Sequence, residues 1–277
     1  MPKPIRWQHT SCRIAATCLL ALAVASCGKS EPMYSGISVM GQNYLPYNLV
    51  RFTITDAYGN KASGGGDSMP GGGGGRLSCC YRLKGTEFTV KWDYADVDQW
   101  HKGDERMFHA EAKVTMPPST DPTRRNILDV HFFPDRHVEF QFPGGLSDPS
   151  RVPIADVISW LFLNYPNQLD QRYDERDDQQ SRRIARLIAS AWLKYRLTDV
   201  EDMKRYAYFA LLVNRRFDAH PEVQKLLQST KATPGAFAKA IDALPPSVMN
   251  ELTKNRFTSV GVPAIPEGYL PPPRIKD

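Results

Sequence analysis

The hydrophobic period of this chain changes once, near residue 145, and that change limits the folds open to it. From Gly36 to Phe142 apolar residues recur at every second position. Phe88, Val90, Trp92 and Tyr94 interleave with Thr89, Lys91 and Asp93, and Phe108, Ala110, Ala112, Val114 and Met116 interleave with His109, Glu111, Lys113 and Thr115. A strand sends successive side chains to opposite faces, so this pattern predicts half-buried strands with one face in a core. Ile37 with Val39, and the Val50 to Ile54 run, predict earlier strands. Leu128, Val130 and Phe132, then Val138, Phe140 and Phe142, flank Pro134-Asp135-Arg136. A hairpin there pairs Phe132 with Val138 and Val130 with Phe140, and sets His131 opposite Glu139 on the solvent face as a charge pair.

After Pro143-Gly144-Gly145 the spacing becomes helical. Ile154, Val157, Ile158, Leu161 and Phe162 share one helix face, as do Ile184, Leu187, Ile188, Ala191 and Tyr195. Thr198 and Glu201 fit a capping box for a helix through Met203, Ala207 and Leu211. Pro221 and Pro234 suit first-turn positions of two more helices, and Pro245-Pro246 precedes a last one over Val248 to Phe257. The charged stretch Asp170 to Gln180 is expected as a solvated loop. The class is therefore α+β, an N-terminal antiparallel β-sandwich-like domain (36–145) followed by a C-terminal α-helical domain (150–257) and a Pro-rich tail (258–277).

The N-terminus is organised differently. Lys3, Arg6 and Arg13 precede an apolar stretch from Ile14 to Ala25, and Val24-Ala25-Ser26-Cys27 follows the order aliphatic, small, small, cysteine. That box resembles the lipid-attachment site of bacterial lipoproteins. The stretch is shorter than the ~20 apolar residues of a membrane helix, so a cleaved signal peptide over 1–26 is the expectation. The resemblance implies a lipidated Cys27, a tether over 27–35 and membrane attachment through the acyl chains, each buried methylene worth ~0.8 kcal/mol. Gly28, in place of aspartate after the cysteine, implies the outer membrane, with the body in the cell envelope facing the periplasm.

Of the formal charge of +5, Lys3, Arg6 and Arg13 supply three units with no acid before Cys27, leaving +2 on the mature chain. That near-balance argues against nucleic acid as a partner, which calls for a concentrated basic face. Cys12 and Cys18 leave with the signal, so Cys79 and Cys80 are the remaining thiols. Neighbours in a regular strand point apart, which favours two unbridged cysteines with at least one in the core. A vicinal disulfide, needing a distorted turn, and a reactive or metal-binding role are the alternatives.

Signals for chemistry are weak. The glycine run Gly64-Gly65-Gly66-Asp67-Ser68-Met69-Pro70 with Gly71 to Gly75 lacks the Lys-Ser/Thr of a phosphate loop and reads as an irregular connection. No serine sits in a Gly-x-Ser-x-Gly elbow. Asp93, Asp96, Asp98, Asp104 and Glu105 surround Trp100 without calcium-loop spacing, and His101, His109, His131, His137 and His220 show no zinc-peptidase motif. The expectation is a protein without catalytic residues, metal or cofactor.

Gly71 to Gly75, Leu77-Ser78-Cys79-Cys80, Val90-Lys91-Trp92, Met116-Pro117-Pro118 and Val130-His131-Phe132-Phe133-Pro134-Asp135 together resemble a family of bacterial lipoproteins, domain of unknown function 3304. The likeness runs from about Tyr34 to Phe142, with Arg136 where the family's turn carries glycine. Several members are encoded beside lipase effectors of type VI secretion systems, which implies a cognate immunity protein whose partner is a secreted lipase. The alternative is a structural or envelope-maintenance lipoprotein without an effector partner. Candidate contacts for a protein partner are Gly65 and Asp67 in the glycine-rich segment and Trp100 with an acidic rim of Asp98 and Asp104, because aromatic anchors dominate interface energetics.

Overall fold

A computed structural model describes residues 31–103, 105–116, 127–142, 150–173, 176–231 and 233–254. The signal segment 1–26 with Cys27, the tail 258–277 and Asp104 lie outside the described residues. Among the described residues eight strands come first: β1 (Met33–Asn43), β2 (Asn48–Asp56), β3 (Lys61–Ser68), β4 (Gly73–Lys84), β5 (Glu87–Ala95), β6 (Met107–Thr115), β7 (Ile127–Phe132) and β8 (Val138–Gln141). They form two four-stranded sheets, β4-β1-β7-β8 and β3-β2-β5-β6. All pairs are antiparallel except β1 with β7, which run parallel. β1 begins inside the expected tether, because Met33, Tyr34 and Ser35 already pair with Lys84, Leu83 and Arg82.

The alternating apolar residues meet between the sheets. Phe52 of β2 and Trp92 of β5 approach Phe132 of β7 with ring centroids 5.2 and 5.5 Å apart, and Phe88 meets Phe140 at 5.8 Å. Truncating one such ring to alanine costs ~3–5 kcal/mol through lost burial and the cavity left behind. The glycine run, expected as an irregular connection, is β3, a turn and the start of β4. A Cβ on Gly64 would lie 2.5 Å from Phe52 Cζ, so a side chain there would collide with the core ring. Gly71 has φ +78 and faces the first long helix, where a Cβ would lie 2.3 Å from Ile154 Cγ2.

β4 departs from regular strand geometry at the two cysteines. Tyr81 pairs with Ile37 and Ser78 with Val39, so β4 holds one residue more than β1 across this interval, a bulge. Cys80 has φ +74, and Cys79 and Cys80 are joined by a disulfide. Both are exposed, so the expectation of unbridged thiols with one in the core does not hold. The bulge suspends the alternation on which that expectation rested.

Eight helices follow the order α1 (Val97–Trp100), α2 (Ile154–Asn164), α3 (Pro166–Arg172), α4 (Asp177–Tyr195), α5 (Val200–Tyr208), α6 (Pro221–Ser229), α7 (Ala236–Asp242) and α8 (Pro246–Lys254) among the described residues. Their apolar stripes form a second core around Ile154, Leu161, Ile188, Trp192, Met203 and Phe217, which Tyr44 and Phe133 join from the sheet side. Sheets and helices belong to one compact unit starting at Met33. The charged stretch expected as a solvated loop is largely the end of α3 and the start of α4. Asp199, one residue past the expected Thr198, caps α5 by accepting from the N–H groups of Glu201 and Asp202 at 2.9 and 3.1 Å. After α5 a π-helical turn, Phe209–Val213, leaves carbonyls for other donors, and Tyr173 Oη and Arg172 Nη2 reach Leu211 O and Leu212 O at 2.8 and 2.9 Å. Among the described residues no helix is long and apolar enough to cross a membrane.

Candidate functional site

The residues proposed as partner contacts do not converge. Gly65 has φ +118, and a Cβ there would lie 2.5 Å from Arg51 Cα, so it serves the close approach of β3 to β2. Asp67, exposed with φ +57, sits in a β3 bulge and accepts a hydrogen bond from Asn48 Nδ2 at 3.0 Å. Trp100 ends α1 and is 37% exposed. Asp98 is turned inward, a correction to the acidic-rim expectation. It receives Arg182 Nε at 2.8 Å and lies 3.2 Å from Arg186 Nη1, both from α4.

This ion cluster fastens the helices to the end of β5. Arg186 Nη2 reaches Asp96 Oδ1 at 2.5 Å and its Nε donates to Pro46 O at 3.2 Å, while Arg182 also holds Asp178 at 3.0 Å. The arginine side chains are only 4% and 6% exposed. Buried guanidinium groups need such partners, because desolvation of each ion costs several kcal/mol. Asp98, read as part of a contact rim, thus neutralises cations that the helix buries.

His131 is a second correction. Its pairing with Glu139 is as expected from the hairpin, and so are Val130 with Phe140 and Phe132 with Val138. The ring, however, is buried rather than solvent-facing, with Nδ1 3.0 Å from Tyr44 Oη, which also accepts from Arg151 N at 3.1 Å. The helical layer covers that face of the sheet. Burial, reinforced by the Arg151 charge, lowers the imidazole pKa from 6.5 to about 4, so it stays neutral at ordinary pH. Glu139 turns instead to His137 and Arg151, at 3.4 and 3.5 Å.

The outer face of the β3-β2-β5-β6 sheet has a different character. Register sets three rows across the strands: Gly65, Arg51, Asp93 and His109; Ser63, Thr53, Lys91 and Glu111; Lys61, Thr55, Thr89 and Lys113. The first row is tied together, Asp93 accepting from Arg51 on one side and meeting His109 Nδ1 at 2.6 Å on the other. Burial pushes the Asp93 carboxyl up, but these two hydrogen bonds outweigh it and hold the group below its ordinary range. In the second row Lys91 Nζ lies 3.2 Å from Glu111. A groove of about 710 Å³ runs along this face, beside a smaller one of about 310 Å³ that shares Thr55 and Thr89. The Asp93–His109 pair supplies two parts of a nucleophilic triad; among the described residues no serine or cysteine hydrogen-bonds the ring's other nitrogen. Nor, among them, do three or more His, Cys, Asp or Glu side chains gather to hold a metal ion. What the face can do is present paired charges and hydroxyls on a wide surface.

Residues 42–140 match the family model described as protein of unknown function (DUF3304), which takes in both strands of the central β2–β5 pair and the whole open face. No curated protein and no solved structure matches this chain.

Proposed function

We propose that the chain is a lipid-anchored binding protein of the cell envelope that captures and neutralises a secreted antibacterial effector, a lipase of a type VI secretion system, as an immunity protein. The observation that carries this reading is the open face of the β3-β2-β5-β6 sheet, whose charges are pinned in rows by Arg51, Asp93, His109, Lys91 and Glu111. Side chains already engaged with one another, as in these rows, have less conformational entropy to lose when a protein docks on them, which favours binding. The Cys27 box and the family match support the same reading from the sequence side. Anchoring at the outer membrane, facing the periplasm, holds the face within a short tether of the bilayer that a lipase attacks and raises its effective concentration there.

The test is capture from lysate of the source bacterium with the tagged full chain in mild detergent, followed by an activity assay on any stoichiometric partner. A lipase that loses activity in the complex is the expected result. Recovery of no effector from cells that express their effectors would overturn the reading in favour of an envelope-maintenance lipoprotein.

A further inference from the structure

The three rows of the open face differ in how their charges are used. Arg51 is matched by Asp93, and Lys91 by Glu111. Lys61 and Lys113, at the two ends of the third row, are exposed and meet no carboxylate among the described residues. Between them stand Thr55 and Thr89, half-buried and shared by both grooves. Glu87 lies one row beyond, paired in register with Thr115. The row is thus a strip with a cation at each end and hydroxyl donors in its middle.

We infer that this strip receives an extended acidic segment of a protein partner, laid across the strands with two carboxylates on Lys61 and Lys113. The spacing follows from sheet geometry. Lys61 on β3 and Lys113 on β6 are three strands apart, ~14 Å at ~4.8 Å per strand. An extended peptide advances ~3.4 Å per residue and returns to the same face every second residue, so residues four apart stand ~14 Å apart on one side. Two acids four residues apart therefore match both lysines at once, with the residue midway between them over Thr55 and Thr89. The paired charges of the other rows leave the strip as the part of the face with charge to spare. This assignment rests on the binding reading above and names the chemistry of the partner's contact.

The probe is a fluorescein-labelled peptide with two glutamates four residues apart, titrated against the full chain in mild detergent and followed by anisotropy. Exposed lysines make the binding salt-sensitive, so low ionic strength is used. The expected result is at least tenfold weaker binding to the Lys61→Glu/Lys113→Glu variant than to a Lys225→Glu/Lys239→Glu variant, which changes the charge equally at two exposed helix positions. Zero-length carbodiimide coupling of the peptide, mapped by mass spectrometry, should place amide links on Lys61 and Lys113. Equal weakening by both variants, or links spread over all exposed lysines, overturns the assignment. Because this assay needs no effector, its failure removes the acidic-segment contact alone, whereas failure of the lysate capture removes the immunity reading alone.

Discussion

Replacing Asp98 with asparagine probes the junction between sheets and helices. In the native protein one Asp98 oxygen meets Arg182 at 2.8 Å and the other lies 3.2 Å from Arg186. Asparagine keeps the shape, removes the charge and turns one acceptor into a donor aimed at a guanidinium. Each arginine retains a second carboxylate, Asp178 for Arg182 and Asp96 for Arg186. The loss should therefore fall below the ~3–5 kcal/mol of a fully broken buried pair, at ~2–3 kcal/mol. Adding Asp96→Asn leaves Arg186 with no carboxylate among the described residues, only amide and carbonyl oxygens such as Pro46 O, and should remove at least ~2 kcal/mol more, with clear coupling between the two sites. Urea denaturation followed by tryptophan fluorescence reads both sides of the junction, since Trp92 lies in the sheet core while Trp160 and Trp192 belong to the helical core. The double variant should unfold in two separated steps. An Asp98→Leu/Arg182→Met exchange, which removes both desolvation costs together, should lose much less than Asp98→Asn. A shift under ~0.5 kcal/mol for Asp98→Asn would refute the reasoning, because a surface pair behaves that way.

Acid should act through His131. Its folded pKa, about 4, lies below the ordinary 6.5, so the stability it confers is complete above pH 6.5 and is lost as pH falls towards 4, up to about 3 kcal/mol. Urea midpoints at pH 7 and 4.5 should differ less in a His131→Gln variant than in the native chain. Gly71→Ala should cost ~2–5 kcal/mol by forcing a side chain at φ +78 against Ile154, and the same change should lower the melting temperature less in an Ile154→Ala background than in the native chain, because the contact with Ile154 Cγ2 is gone there. Asp56→Ala should cost ~2–4 kcal/mol in the same denaturation assay. Its carboxylate accepts from Tyr58 N, Asn60 N, Asn60 Nδ2 and Lys84 N, at 2.7 to 2.9 Å, and those donors lose their partner.

The strands that carry the open face were legible because Phe88, Val90, Trp92 and Tyr94 alternate cleanly with polar residues. The hairpin register was legible from the same alternation. The burial of His131 was not, since alternation reports one buried face and is silent on a second layer covering the other. β3 was hidden by its own glycines, whose absent side chains erase the periodic signal although Phe52 requires them. The Asp170 to Gln180 stretch misled for a further reason: charge density usually marks solvent, but Arg182 and Arg186 just beyond it are neutralised by Asp98 and Asp96, 84 and 90 residues away respectively. A local signal for that was present: Arg182 and Arg186 stand one turn apart, the second inside the largely apolar run from Ile184 to Leu193. Lys61 and Lys113 carried no signal at all, because they become neighbours in a row only when β3, β2, β5 and β6 are set in register.

The parallel pairing of β1 with β7 bears on how the chain acquires its shape. The β3-β2-β5-β6 sheet is assembled largely from strands close in sequence, so its hairpins can close early. β1 emerges first yet gains its second neighbour only when residues 127–132 arrive, after a loop whose closure carries an entropic cost that grows with length. Folding should therefore pass a slow, late step in which β7 inserts beside β1. Until then one edge of β1 is an open template for another chain. A fragment ending at Met116 would contain every residue of the open face and still be prone to aggregate, so that face is best studied with β7 and β8 in place.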